Sequence, residues 1–145
     1  MRYWDASAII PLIFEQTSSR EAERWVAENP SIVVWTLTHV EAVSALRRLV
    51  REESLLESEA HRAEQVLEEV LARAHTVADV ERVKETACRL LRTHALRAAD
   101  AMQLGAALEW ADGSARGLVF HTLDRRLALA AEREGFAVVG AAPGA

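Results

Sequence analysis

A single cysteine, Cys88, among 145 residues excludes a disulfide scaffold and fits a reducing, cytoplasmic setting. Three prolines (Pro11, Pro30 and Pro143) and six glycines leave no linker and no low-complexity tract. The longest run free of Asp, Glu, Lys and Arg is Asn29 to Val40, twelve residues, too short for a membrane helix of roughly 20. No basic segment precedes the N-terminal apolar stretch, which Asp5 and Glu15 bracket, so a secretory signal peptide is not expected. Lysine is nearly missing too. Of 17 basic residues only Lys84 is Lys, and arginine is the better donor for planar phosphate contacts. A bias toward Arg and Ala codons explains the same counts equally well.

Half of the residues are hydrophobic and 27% are charged. A chain of this length buries about 68–70% of its unfolded surface, which is enough for one core. A single domain over residues 1–145 is the expectation. The net charge of -5 argues against a generic nucleic-acid binder, which would be basic. The charge is uneven, however. Between Arg82 and Arg97 five basic residues face one acid, whereas between Arg47 and Arg73 five face seven Glu.

Hydrophobic patterning alternates strands with helices. Arg2–Asp5 reads as a short strand, followed by an apolar helix from Ser7 to Phe14 and another from Ser19 to Glu28. Ser31–Trp35 is a β-branched run without alternation, the mark of a strand buried on both faces. Helices are predicted over Thr38–Arg51, with Val40, Val43 and Leu46 inward, and over Leu56–Arg73. His75–Ala78 reads as a strand, and Val80–His94 as a helix burying Val83, Ala87, Cys88, Leu90 and Leu91. Ala98–Trp110 is helical, Leu118–Phe120 is a strand, Leu123–Glu134 is a helix, and Phe136–Val139 is the last strand. The fold class is α/β, with three layers and a central parallel sheet of four or five strands.

Four acids fall at or just after the carboxyl ends of strands, where open parallel sheets bind ligands: Asp5, Glu41, Asp100 and Asp124. Each has a plain structural alternative. Thr38-His-Val-Glu41 fits a capping box, Asp124 an N-cap, and Asp100 a partner for a helix dipole. An acid ending a buried strand, as Asp5 does, needs a partner in any case. Carboxylates gathered without lysine imply a bound cation or raised pKa values, and oxygen ligands alone suit Mg²⁺ or Mn²⁺. No His/Cys spacing suggests zinc. His39 and His121 lie beside Glu41 and Asp124; a hydrogen-bonded histidine at a strand end is the simpler reading of each. Trp4, Trp25, Trp35 and Trp110 offer base-stacking faces. Trp4 and Trp35 sit inside strand patterns and read as core.

Tyr3-Trp-Asp5-Ala-Ser7-Ala, Glu41-Ala-Val-Ser-Ala-Leu, Leu96-Arg-Ala-Ala-Asp100-Ala-Met-Gln-Leu-Gly and Thr122-Leu-Asp124-Arg-Arg-Leu-Ala resemble, in order and spacing, the PIN-domain ribonucleases. The nearest likeness is to the VapC-type toxins of bacterial toxin–antitoxin pairs, over nearly the whole chain. The resemblance implies that Asp5, Glu41, Asp100 and Asp124 are metal-binding catalytic acids, with Ser7 and Thr122 as supporting hydroxyls. It also implies Mg²⁺- or Mn²⁺-dependent cleavage of RNA, a homodimer, and a VapB-type antitoxin that inserts an Arg into the acidic site. Arg89, Arg92, Arg97, Arg125 and Arg126 are the candidates for RNA contact, because they lead to or follow a proposed ligand. The acidic net charge departs from what an RNA-binding surface suggests.

Other readings fit less well. A receiver domain would need paired acids after the first strand and a late Lys, and Lys84 is misplaced for that. A haloacid-dehalogenase phosphatase would place an Asp where Ser7 stands. A catalytically silent PIN-like module that binds RNA or protein remains the alternative. Lastly, the helices over Thr38–Arg73 carry a long apolar stripe (Val43, Leu46, Val50, Leu55, Leu56, Val66, Leu67, Val70 and Leu71), part of which is expected to remain open to a partner's helix.

Overall fold

Strands with no polar face must be covered on both sides, and the folded chain covers them with helices. The computed structural model describes residues 1–141; Pro143 lies outside them. Strands β1 (Arg2–Trp4), β2 (Ile32–Trp35), β3 (His75–Val77), β4 (Val119–Thr122) and β5 (Ala137–Gly140) form one sheet in the order β3-β2-β1-β4-β5. Every pairing is parallel. The helices are α1 (Ala6–Ile13), α2 (Ser19–Glu28), α3 (Thr38–Arg51), α4 (Glu57–Arg73), α5 (Val80–Thr93), α6 (Ala98–Trp110) and α7 (Arg125–Arg133).

The period of two in β2 divides the core. Ile32 and Val34 pack with Trp4, Ile9, Leu46 and Leu67 under α1–α4. Val33 and Trp35 pack with Tyr3, Leu90, Leu104 and Phe120 under α5–α7. The result is the expected three-layer α/β/α arrangement with five strands.

From β1 the sheet grows through β2 and β3 on one side and through β4 and β5 on the other. That reversal creates a crevice at the carboxyl ends of β1 and β4. Trp4 pairs with His121, and the Asp5 N–H donates to the His121 carbonyl at 3.1 Å. The segments carrying Asp5 and Asp124 therefore leave the sheet side by side.

Several expectations need correction. β4 spans Val119–Thr122 rather than Leu118–Phe120, because His121 pairs with both β1 and β5 and Thr122 pairs with β5. Cys88 and Leu91 are exposed, not core. Each follows an inward residue, Ala87 or Leu90, and one step turns the helix by about 100°. Val40 is likewise 64% exposed, since α3 presents Thr38, Ala42 and Leu46 to the core. His121 is fully buried, but its ring nitrogens have no hydrogen-bond partner among the described residues. Its ring packs on Trp4 and Trp25 at centroid distances of 4.2 and 4.8 Å. Burial, with a smaller contribution from Arg2, lowers its pKa to about 4, so it stays neutral. Trp25 is core as well, at 3% exposure.

Helices α5 and α6 approach closely at Gly105. A Cβ there would lie 3.1 Å from the Val83 carbonyl oxygen and 3.4 Å from the Ala87 nitrogen. Gly105→Val should cost about 1–3 kcal/mol by overpacking, seen as a lower urea midpoint with an unchanged slope. An unchanged midpoint would show that the helices can spread apart freely.

Candidate active site

Asp5 follows β1 directly and caps α1, its Oδ1 accepting the Ala8 N–H at 3.0 Å. Two hydroxyls donate to the same carboxylate: Ser7 Oγ to Oδ1 at 2.7 Å and Thr122 Oγ1 to Oδ2 at 2.9 Å. Backbone amides hold those hydroxyls in turn. The Leu123 N–H donates to Ser7 Oγ at 2.8 Å, and the Asp124 N–H to Thr122 Oγ1 at 3.0 Å. The first and fourth motifs are thus knitted into one network. Gly140 closes it from the side: a Cβ there would fall 2.3 Å from the Thr122 carbonyl oxygen.

Asp5 is 4% exposed. Burial raises its pKa from 3.8 to about 7, against the lowering effect of the Ser7, Ala8 and Thr122 bonds and with a further push from Asp124. Glu41 rises from 4.5 to about 7 for the same first reason; the Gln103 bond lowers it, and Asp5 and Asp100 raise it. Asp100 is also raised, by burial and then by Asp124, while Arg97 and Arg126 pull it down. Each of the four carboxylates therefore acts on at least one other. They form one electrostatic unit. Among the described residues, no three carboxylate, imidazole or thiol groups are gathered tightly enough to hold a metal ion as they stand.

The structural alternatives sort differently. Asp124 is an N-cap, accepting the Leu127 N–H at 2.9 Å, and still faces the site. The capping box at Thr38 does not form: Leu37 is the N-cap position, without a side-chain bond, and Glu41 turns to Gln103.

Sequence reasoning misses Gln103, which is 1% exposed and links three motifs. Its Oε1 accepts from Tyr3 Oη at 2.7 Å; its Nε2 donates to Thr38 Oγ1 at 3.1 Å and to Glu41 Oε1 at 3.2 Å. The one signal that points to it is its spacing from Asp100, i+3, which puts both on one face of α6. Burial, then Asp5 and Glu41, raises the Tyr3 pKa, so its hydroxyl stays a donor.

Asp100 and Asp124 line an open cleft of about 490 Å³ together with Arg97, Arg125 and Arg126. Arg89 and Arg92 do not line it. Arg89 is forked onto Glu134 at 3.2 and 3.1 Å, and Arg92 borders a separate depression with Glu81 and Cys88. His39 is exposed. Among the described residues no helix is long and apolar enough to cross a membrane.

Residues 2–133 match the family model of the PIN domain. Over 139 residues the chain is 35% identical to Ribonuclease VapC45 and to Ribonuclease VapC49 of Mycobacterium tuberculosis, covering 96% of this chain and 94% of each relative. Its structure is similar to that of Mycobacterium tuberculosis VapC20, a sarcin-ricin loop cleaving toxin. The TM-score is 0.66 at 15% identity, over 90% of this chain and 95% of that one. FitAcB from Neisseria gonorrhoeae gives a TM-score of 0.64 at 18% identity, over 95% and 96% of the two chains. At such identities these two likenesses speak to the fold.

Proposed function

The chain belongs to the PIN domain family, and from that premise we propose that it is a VapC-type toxin ribonuclease whose four acids work with Mg²⁺ or Mn²⁺. The observation that carries this reading is the electrostatic unit of Asp5, Glu41, Asp100 and Asp124 at the β1/β4 crevice. Oxygen-only donors fit such an ion in kind, and a cation would draw in carboxylates that now repel one another. When bound, the ion would supply an activated water and stabilise the leaving oxygen of a phosphodiester. The remaining work belongs to the chain. Ser7 and Thr122 orient Asp5, Gln103 orients Glu41, and the guanidinium groups of Arg97, Arg125 and Arg126 border the cleft that a phosphate backbone would enter. Cleavage of RNA should require Mg²⁺ or Mn²⁺ and stop with EDTA. Full cleavage in EDTA would contradict the reading, and RNA bound but uncut at saturating Mg²⁺ would leave a silent binding module.

Phosphate contacts at this cleft predict a particular salt response. Arg125→Gln/Arg126→Gln should weaken RNA binding alike for all sequences and reduce the slope of log affinity against log salt by about one per lost contact. An unchanged slope in the double variant would move the RNA surface elsewhere.

The α3–α4 pair supports an antitoxin partner. Leu37, Val40 and Leu56 are 45%, 64% and 66% exposed, beside the partly buried Val43, Val50, Val66 and Val70. An amphipathic antitoxin helix would cover this stripe and direct an arginine to the acidic unit. The same kind of apolar face serves a homodimer. Leu56→Glu should weaken capture of the cognate antitoxin peptide without changing cleavage by the free toxin. Sedimentation as a monomer at micromolar concentration, with antitoxin affinity unmoved by Leu56→Glu, would sink both assignments.

A further inference from the structure

Beside the acidic cleft lies a second cavity of about 360 Å³, between α7 and the loop that joins α5 to α6. Leu96, Leu129 and Ala130 give it an apolar wall, and Arg126 and Arg133 bring two guanidinium groups to it. Arg126, Leu129, Ala130 and Arg133 recur at i, i+3, i+4 and i+7, so one face of α7 builds most of the wall. Arg126 lines this cavity and the acidic cleft alike.

His94 also lines the cavity, and its side chain is only 5% exposed. Its Nε2 lies 2.7 Å from Glu134 Oε1. Burial pushes the Glu134 carboxyl up, but the bonds from Arg89 and His94 bring it below its ordinary value, so it is an ionised acceptor. The Nε2 proton is assigned on that basis. Nδ1, the other ring nitrogen, is buried with no partner among the described residues. Such an atom is costly unless something supplies its missing bond. Leu129, part of the same lining, is 49% exposed.

The geometry points to a base-binding subsite: the cavity receives a nucleobase of single-stranded RNA whose neighbouring phosphate lies over Asp100 and Asp124. This inference rests on the ribonuclease reading and deepens it. Guanidinium planes and apolar side chains stack on bases, and a base edge carries both N–H donors and lone-pair acceptors from which Nδ1 can take its missing bond. Arg126 is placed to touch base and phosphate together. The volume matches a small-molecule pocket, ~300–1,000 Å³, rather than the long groove a protein helix would need.

Fluorescence anisotropy tests this on the full chain carrying Asp5→Asn, which keeps the RNA uncut. The probes are short homopolymers of A, C, G and U and an abasic ribose-phosphate chain of equal length. At least one homopolymer should bind about tenfold more tightly than the abasic chain, as expected for one stacked and hydrogen-bonded base. Adding His94→Gln, which keeps the Glu134 bond and removes Nδ1, should bring that ratio to within about twofold. Adding Leu129→Ser at the exposed mouth should do the same, and abasic affinity should stay unchanged in both. Equal affinity for all probes in the parent, or a preference that survives both substitutions, would overturn the subsite. So would loss of abasic affinity in the variants, because a phosphate or structural role would explain it. If no probe binds, abasic chain included, the ribonuclease reading itself falls and the subsite with it. A Leu129 methyl resonance that moves with an antitoxin peptide and not with RNA would assign the cavity to protein instead.

Discussion

Asp5→Asn should lower RNA cleavage at least about 100-fold while leaving the metal-free fold more stable at alkaline pH. The first effect follows from ligand chemistry, since changing even an outer-shell partner of a metal costs roughly 10–100-fold. The second follows from burial. The folded-state pKa of Asp5 is raised from 3.8 to about 7, so the group's contribution to stability is whole below about pH 4 and is lost as pH rises through 7. A tenfold change in proton affinity is worth about 1.4 kcal/mol, which puts the loss on the order of a few kcal/mol. Asn cannot ionise, and its Oδ1 still caps the Ala8 N–H. In EDTA, the urea stability of the parent should fall between pH 5 and pH 8 by clearly more than that of Asp5→Asn. Glu41, also raised to about 7, keeps some of the slope in the variant. Mg²⁺ should restore the parent at pH 8 and do little for the variant. Parallel pH profiles for the two proteins would mean that Asp5 does not carry the burial cost assigned to it.

Gln103→Leu should cost about 2–4 kcal/mol and reduce cleavage as well. The substitution strands the Tyr3 hydroxyl and Thr38 Oγ1, both on fully buried residues, and each lost partner costs about 1–3 kcal/mol. It also frees Glu41 from the one side-chain bond that lowers its pKa, so less of it is ionised at neutral pH. A double variant separates the two effects. Tyr3→Phe/Gln103→Leu removes donor and acceptor together and should recover part of the stability, since replacing both partners by apolar groups is nearly neutral. Cleavage should not recover, because Glu41 remains unheld. If activity returned with stability, Gln103 would be a core residue and nothing more.

The layered α/β class and most element boundaries are legible because strands buried on both faces and amphipathic helices write different periods into the chain. The errors fall where one residue's step decides the face. Val40, Cys88 and Leu91 are apolar by composition, yet each follows an inward-facing residue or precedes the buried Ala42 and ends in solvent. Glu41 shows the limit of local rules. Its spacing from Thr38 satisfies a capping box, but Gln103, 62 residues away, binds both side chains instead. A place at a strand end suggests a hydrogen-bonded His121, and the packing of Trp4 and Trp25 makes it an apolar neighbour instead.

By itself the sequence determined which residues carry charge at the carboxyl ends of strands: an acid after a buried strand, or in the first turn of a helix, is fixed by local order alone. Tertiary structure decided what those acids do to one another. The β3-β2-β1-β4-β5 order, which no local pattern encodes, sets β1 against β4 and brings Asp5 to Thr122 across 117 residues. It also decided their ionisation, because desolvation depends on what the rest of the chain packs over a carboxylate. Even the cavity beside the cleft is a tertiary fact. Arg126, Leu129 and Arg133 are an ordinary helix face until His94 and Leu96 are folded against them.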